Sequence, residues 1–318
     1  MNLATLRDLV LDVPEVHNWP ELREFYEYGL SLPRGDWEWP LLACRAVGGD
    51  IERTAPVAAC LTCMQLSITL VDDMLDHDPR GLHLRIGEGR TANIAFALQA
   101  AAYHLVHRSA LDLAVKQAVG ACLARMALGT AFGQHLDVQN LEGEENYWRT
   151  LRAKSAPFYG SGMEMGALAG GASTETAASL GEFGMLNGEI IQIYDDLTDA
   201  LQSPANPDWL EKRPNLAILF AATADHARRD RFRELQDGAS EAGALAEAQA
   251  ILMGSGALSY CAYHVVRRVQ AARTTLDQTT LIDRAPLLGI LGPQTQPIIA
   301  LLKKTGAAIP PELEMTLT

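Results

Sequence analysis

The sequence predicts an all-α fold, a helical bundle around a central apolar cavity. Nearly every long segment has apolar residues at helical spacing, and Ala and Leu dominate. Strand signals, meaning alternating β-branched residues beside Asn-Gly turns, are nearly absent. Residues 54–73 and 177–195 are apolar almost all round, which is typical of helices buried on most faces. We therefore expect these two helices to run through the middle of the bundle.

The clearest helical patterns occur at residues 20–30, 38–48, 54–73, 91–107, 110–138, 144–170, 175–200, 214–236, 240–254, 257–275 and 295–304. The breaks between them coincide with turn-forming residues, at Pro33-Arg34-Gly35, Gly48-Gly49, Asp78-Pro79-Arg80-Gly81, Gly170-Gly171 and from Ser203-Pro204 to Pro207. Because no Pro/Gly/Ser-rich linker or change of composition divides the chain, we expect a single domain over residues 1–318.

The charge and cysteine content restrict the partners and the compartment. A net charge of -13 argues against binding to nucleic acid or to an anionic membrane surface. No uninterrupted apolar run reaches about 18 residues, and the N-terminus lacks a signal-peptide pattern, so we expect no stable membrane insertion. The five cysteines lie in apolar helical segments and predict buried, reduced thiols in a cytoplasmic protein.

Two aspartate clusters of the same form each end an apolar helical stretch. They are Asp72-Asp73-Met74-Leu75-Asp76 and Asp195-Asp196-Leu197-Thr198-Asp199. On a helix, the first and last aspartates of each cluster share one face, where like charges cost a few tenths of a kcal/mol. Mg²⁺ takes oxygen ligands and is typically bound by one or two carboxylates together with phosphate oxygens. The clusters therefore predict a Mg²⁺–diphosphate site above an apolar cavity suited to a long hydrocarbon.

In order and spacing, the motifs resemble those of the trans-isoprenyl diphosphate synthase (polyprenyl synthetase) superfamily. The resemblance extends from about Pro33 to about Ala222. Besides the two clusters, the motifs that carry it are Arg80-Gly81, Gly133-Gln134 with Asp137, Lys154-Ser155, Gln192 before the second cluster, and Lys212-Arg213-Pro214. The resemblance implies the isoprenoid-synthase helical fold, a homodimer, and Mg²⁺-assisted ionisation of an allylic prenyl diphosphate to a carbocation.

The same resemblance implies roles for individual residues. The metal ligands, or groups supporting them, would be Asp72, Asp73, Asp76, Asp195, Asp196 and Asp199. Lys154, Lys212 and Arg80 would contact the diphosphate, and Gln192 matches the glutamine beside the second cluster. Ser67, five residues before the first cluster, is small where a bulky aromatic would shorten the pocket, so it favours a C15 to C20 or longer substrate.

The chain departs from the family at the site for isopentenyl diphosphate. Gly35-Asp36-Trp37-Glu38-Trp39-Pro40 stands where the family has Gly-Lys-Arg-x-Arg-Pro. Gln65 replaces a histidine, and Pro79 replaces the arginine before Arg80. Each charge-assisted contact to phosphate contributes about 1.5–3 kcal/mol, so their loss predicts weak binding of a second diphosphate. A shift of the alignment by a few residues, bringing Arg34 or Arg45 into play, is the alternative.

If no second diphosphate binds, the carbocation must react in a way other than ordinary chain elongation. Our leading expectation is a terpene synthase, in which the cation cyclises or is quenched by proton loss or water. The alternatives are elongation with isopentenyl diphosphate through a rearranged site, transfer to an acceptor such as indole, and an inactive regulatory subunit of a prenyl synthase. Trp39 and Tyr194 are candidate ring faces for a cation. The intact aspartates and Lys154 argue against the inactive subunit.

Overall fold

A computed structural model describes residues 2–32 and 36–316, and within them every regular element is helical, as the sequence predicts. The first half contains α1 (Leu3–Leu11), α2 (Pro14–His17), α3 (Pro20–Ser31), α4 (Trp39–Ala46), α5 (Ile51–Leu75), α6 (His83–Ile86), α7 (Glu88–Arg108) and α8 (Leu113–Asp137). The second half contains α9 (Glu144–Lys154), α10 (Ala156–Ala169), α11 (Thr174–Ala200), α12 (Pro207–Leu210), α13 (Leu216–Thr223), α14 (Arg229–Asp237), α15 (Ala242–Gly254), α16 (Ala257–Gln278), α17 (Ala285–Thr305) and α18 (Pro311–Glu314). A 3-10 turn, Asp36–Glu38, precedes α4.

The two helices that carry the aspartate clusters are buried along most of their length. The carboxylate of Asp50 caps α5, and the hydroxyl of Ser173 caps α11, each accepting from main-chain amides of the first turn. Leu61, Met64 and Leu70 of α5 are fully or almost fully buried. Both helices end at their clusters, so the carboxylates emerge where the apolar faces stop.

The end of α5 is closed by a left-handed residue. The amide of Asp78 donates to the carbonyl of Asp73 at 3.0 Å, and His77 has a φ of 52°. This is the hydrogen-bond pattern in which glycine usually supplies the left-handed position. The chain reverses here, which places Asp78 and Arg80 beside the first cluster.

Close contact between α10 and α11 requires small residues. A Cβ added at Gly184 would lie 2.5 Å from the carbonyl oxygen of Tyr159, and one at Gly188 would lie 2.9 Å from the Cα of Ala156. No side chain larger than hydrogen fits at either position without moving the backbone. The glycines therefore fix the distance between α11 and the start of α10, next to Lys154.

Several predicted helices have different bounds in the structure. The predicted helix 144–170 is divided at Ser155 into α9 and α10, because Pro157 lacks the amide that a continuous helix needs. The predicted helix 214–236 is divided into α13 and α14, and 295–304 is the end of the longer α17, which contains Pro293 and Pro297. The predicted break at Pro33-Arg34-Gly35 lies outside the described residues.

Two of the described helices, α5 and α17, are long and apolar enough by length and composition to cross a membrane. In α5, 72% of the apolar window is buried inside the protein, as is typical of a core helix, and in α17 the share is 39%. Because a core helix passes the same test, this is weak evidence for insertion. The absence of a membrane span stays a prediction.

Candidate functional site

A cavity of about 1230 Å³ opens where α5, α9 and α11 end. The loops that follow α5 and α11 complete its wall. The residues predicted from sequence that line it are Asp76, Arg80, Lys154, Gln192, Tyr194, Asp196 and Asp199. Both aspartate clusters therefore contribute to one site, as their position at the ends of two central helices predicts.

Lys154 connects the first cluster to α8. Its Nζ lies 2.9 Å from Asp72 Oδ1 and 2.5 Å from Asp137 Oδ2. Burial lowers the pKa of Lys154, but the carboxylates of Asp72 and Asp137 outweigh it and raise the pKa above its ordinary value. Gln134 Nε2 donates to the same Asp72 oxygen at 2.5 Å. The ammonium is thus held charged at the rim of the cavity.

The other two aspartates of the first cluster are half-buried near further charges. Burial, together with the negative charges of Asp78 and Asp72, raises the pKa of Asp73 to about 6. Burial also raises the pKa of Asp76, although Lys154 opposes it. Such shifts arise when carboxylates are withdrawn from water and crowded together. A bound cation would relieve that cost.

The three aspartates of the second cluster lie in different environments. Asp195 is exposed, and Asp199 is half-buried and lines the cavity. Asp196 is 3% exposed, and its two carboxylate oxygens accept from Gln192 Nε2 at 3.0 Å and from the Leu216 amide at 2.8 Å. Burial raises its pKa to about 7. Because Asp196 is almost fully buried and each of its oxygens already accepts a hydrogen bond from the protein, we expect it to orient the cluster and not to bind the metal directly.

Two of the predicted diphosphate contacts are at the cavity, and the third is not. Arg80 lines the cavity and binds Asp78 through two hydrogen bonds of 3.1 and 2.8 Å, with its side chain 88% exposed. Lys212, with a φ of 54°, directs its ammonium to Asp237 at 2.6 Å and does not line the cavity. Its predicted role is therefore not supported.

Arg213 occupies the place that the sequence assigned to Lys212. Its Nη1 lies 3.0 Å from Asp76 Oδ1, and its side chain is 23% exposed. A second carboxylate, that of Glu211, lies 2.8 Å from Nη2. The sequence contained this cation in the Lys-Arg-Pro motif, but the backbone turn that selects which of the two faces the site has no signature in the sequence.

Ser67 lies in a second, smaller cavity of about 290 Å³. It is mostly apolar, with Met64, Ile68 and Val71 of α5 on one side and Phe96 of α7 on another. The Ser67 hydroxyl donates to the carbonyl of Ala95 at 2.9 Å, so it adds little bulk and no unpaired donor. This is the position predicted to leave room for a long hydrocarbon.

Two of the residues that replace the family's isopentenyl diphosphate ligands contact each other in the structure. Gln65 Nε2 donates to Asp36 Oδ2 at 2.6 Å, so the residues that replace the family's lysine and histidine contact each other. Trp39 is 4% exposed and packs on Tyr159 with ring centroids 4.9 Å apart. Its role as a ring face for a cation is thus not supported, because the indole belongs to the core and lines neither cavity. Arg34 and Gly35 lie outside the described residues.

Sequence reasoning also missed Asp208. It lines the larger cavity, and burial raises its pKa to about 6, although Asn215 Nδ2 donates to it at 2.8 Å. The residue lies in α12, a short helix in a loop without motif spacing, so only the fold brings it to the second cluster. Asp137 had a signal in its motif, and its pairing with Lys154 gives that motif its physical reason.

The carboxylates fit Mg²⁺ ions that share their ligands with a diphosphate. Within residues 2–32 and 36–316, no three His, Cys, Asp or Glu form a group that could hold a metal ion. Mg²⁺ usually takes one or two carboxylates plus phosphate oxygens and waters, and does not need a dedicated protein cage. Asp76 and Asp199 line the cavity and would hold such ions from its two sides. Asp72, Asp73 and Asp195 of the same clusters do not line it and would reach the ions from beside those two residues.

The sequence of the chain is similar to a known protein family and to individual proteins named as prenyl diphosphate synthases. A family model described as polyprenyl synthetase matches residues 39–252, more than half of the 318 residues. The chain is 29% identical to a short chain isoprenyl diphosphate synthase from Methanothermobacter thermautotrophicus, over 79% of this chain and 82% of that protein. It is 28% identical to a geranylfarnesyl diphosphate synthase from Aeropyrum pernix, over 76% of this chain and 82% of that protein.

Solved structures share the fold. A decaprenyl diphosphate synthase from Rhodobacter capsulatus superposes with a TM-score of 0.78 at 20% identity, covering 94% of this chain and 95% of that one. A geranylgeranyl pyrophosphate synthase has a TM-score of 0.81 at 16% identity, covering 93% and 95%. These structural likenesses show the all-α isoprenoid-synthase fold, and the family match also shows the family of the chain. The chain belongs to the polyprenyl synthetase family and is an enzyme of the class I isoprenoid synthase type.

Proposed function

We propose that this enzyme ionises an allylic prenyl diphosphate with Mg²⁺ and extends it with isopentenyl diphosphate, as a chain-elongating polyprenyl diphosphate synthase. The observation that carries the ionisation is the convergence of both aspartate clusters, Lys154 and Arg213 on one cavity. The names of the relatives, which are isoprenyl, geranylgeranyl and geranylfarnesyl diphosphate synthases, support elongation over our leading expectation of cyclisation.

One set of side chains would stabilise the charge of the diphosphate, and another would keep water away from the hydrocarbon. Mg²⁺, when bound, would supply Lewis-acid stabilisation of the leaving diphosphate. Lys154 and Arg213 would place fixed positive charge beside the same oxygens, already oriented by Asp72 and Asp76. The apolar cavity that contains Ser67 would receive the hydrocarbon, away from water. A C15 to C20 or longer substrate fits this part of the proposal.

A second candidate is termination without isopentenyl diphosphate, as in a terpene synthase. The hydrogen bond between Asp36 and Gln65 favours it, because an acid and an amide occupy positions where the family has lysine and histidine. A second diphosphate would meet negative charge there. Transfer to a non-prenyl acceptor uses the same ionisation. The burial of Trp39 removes one candidate ring face for a cation from cyclisation and from acceptor transfer alike.

One incubation separates the two candidates. The protein with Mg²⁺ is given geranyl, farnesyl or geranylgeranyl diphosphate, with and without isopentenyl diphosphate, and hydrocarbons, alcohols and diphosphates are separated. Elongation predicts longer diphosphates only when isopentenyl diphosphate is present. Hydrocarbon or alcohol released at the same rate without it would overturn elongation and support the second candidate. Absence of any turnover would contradict both.

Neighbouring cations provide a matched pair of variants. Arg213→Ala should raise the KM for the allylic substrate roughly tenfold, the cost of about one charge-assisted contact. Lys212→Ala should leave the KM within about twofold, because the ammonium binds Asp237 away from the cavity. Steady-state kinetics with one allylic substrate measures both. Equal losses in the two variants would show that the loop rearranges on binding.

The effect of Mg²⁺ on thermal stability should depend on pH. Burial raises the pKa of Asp73, one of the proposed metal ligands, from 3.8 to about 6. For a raised pKa, the contribution to folding is full below the unfolded value of 3.8 and is lost as pH rises through about 6. Mg²⁺ binds the carboxylate form, so the rise in Tm that it causes should be larger at about pH 7.5 than at about pH 5.5. An equal rise in Tm at both pH values would contradict the idea that protonation of the carboxylate limits Mg²⁺ binding.

Self-association is also part of the proposal. Between Ala92 and His107, α7 has no charged residue, and its Phe96 is 70% exposed. On the adjacent α8, Leu128 is 74% exposed. In a chain with a net charge of -13, a face without acidic residues is where two copies can approach with least repulsion. We expect a homodimer in analytical ultracentrifugation and a monomer for Leu128→Glu.

A cytoplasmic location is also proposed, since all five cysteines are buried and unpaired with one another.

A further inference from the structure

Gln134 of α8 bridges the first aspartate cluster and the smaller cavity. Its side chain is 4% exposed, its Nε2 donates to Asp72 Oδ1 at 2.5 Å, and the residue lines the cavity that contains Ser67. A carboxylate can only accept, so the amide nitrogen must face Asp72. The orientation of the amide is thereby fixed, and the carbonyl oxygen must point elsewhere.

That carbonyl oxygen has no hydrogen-bond partner in the part of the chain that the structure describes. The two hydroxyls of the cavity do have partners, since Ser67 donates to the main-chain carbonyl of Ala95 and Thr130 to that of Met126. Leaving a buried polar atom without a partner costs about 1–3 kcal/mol, and such atoms are few in native structures. Leucine or methionine would fill the space without this cost.

We propose that the Oε1 atom of Gln134 faces the allylic carbons of the bound substrate and stabilises the positive charge that develops on them. This rests on the proposed ionisation but not on how the reaction ends. In that step the C–O bond breaks, both of its electrons leave with the diphosphate oxygen, and the positive charge is shared by the allylic carbons. The negative end of the Gln134 amide dipole is already oriented by Asp72, so it need not reorganise as charge develops.

Two analogues of the same allylic diphosphate test the proposal by affinity. One carries a protonated amine at the position of the carbocation, and the other is an uncharged isostere. Both are titrated with Mg²⁺ into the wild type, Gln134→Leu, Gln134→Met and the control Gln139→Leu, the same exchange at an exposed glutamine five residues further along. Thermal unfolding establishes that each variant is folded.

The expected result is a selective loss. The wild type and Gln139→Leu should bind the cationic analogue more tightly than the uncharged one. Both Gln134 variants should lose roughly tenfold or more of that preference while keeping the affinity for the uncharged analogue within about threefold. A parallel loss of both affinities would overturn the proposal and leave Gln134 as a support for Asp72 alone. If the wild type did not prefer the cationic analogue over the uncharged one, the proposal for Gln134 would be overturned without any variant. If the wild type bound neither analogue, the proposed function would be overturned as well.

Discussion

Replacing Lys154 with methionine should lower kcat/KM for the allylic substrate by about 10²–10³-fold, the usual loss when one preoriented electrostatic contact to developing charge is removed. The ammonium lies 2.9 Å from Asp72 and 2.5 Å from Asp137, at the rim of the cavity. Methionine keeps an unbranched side chain one atom shorter than lysine, and it removes the charge together with the N–H donors. The turnover of one allylic substrate, measured by release of diphosphate, gives the loss directly.

The same exchange should also destabilise the protein. Without Lys154, the carboxylates of Asp72 and Asp137 would face each other partly out of water. Breaking a buried pair costs about 3–5 kcal/mol, and the partial exposure of this one reduces the expected loss to about 2 kcal/mol. Lys154→Arg, which keeps the charge, should recover most of the stability but only part of the activity. Full activity in Lys154→Met would refute the assignment of this residue to the diphosphate.

The position of this site was predictable because it follows from local spacing. Aspartates at i and i+4 share a helix face whatever the rest of the fold does, and an apolar helix that ends at them must bring them to the rim of the core. Lys154 was identified by a motif, and its two carboxylate partners explain the spacing. The all-α fold followed in the same way from periodicity along the whole chain.

What could not be predicted depends on loops and on packing between distant segments. The left-handed backbone at Lys212 turns that side chain outward and leaves Arg213 beside Asp76. Trp39 was a candidate for the cavity, but its large ring is buried against Tyr159, and only tertiary contacts decide between these two fates. Asp208 reaches the site through a loop whose sequence has no regular spacing.

Changing Asp36 to Lys together with Gln65 to His should strengthen the binding of isopentenyl diphosphate by about 10- to 100-fold. In the wild type the two side chains hydrogen-bond to each other at 2.6 Å, so the double change replaces both members of that pair together. The exchange turns one negative charge into a positive one and replaces the amide donor of Gln65 by an imidazole donor. Each new charge-assisted contact to phosphate contributes about 1.5–3 kcal/mol, and part of this is spent on ordering the new side chains. The KM for isopentenyl diphosphate at a fixed allylic substrate measures the change.

Glu38→Lys is the matched control, because it makes the same change of charge two residues away on an exposed side chain. It should alter the KM by less than about threefold, as expected for a screened surface charge. Trp39→Arg is unsuited to this test, since it would place a charge inside the core and report instability. Equal improvement in the control would mean that net charge alone limits binding. No improvement in the double variant would mean that Asp36 and Gln65 do not lie where a second diphosphate binds, and the argument for termination without isopentenyl diphosphate would lose its basis.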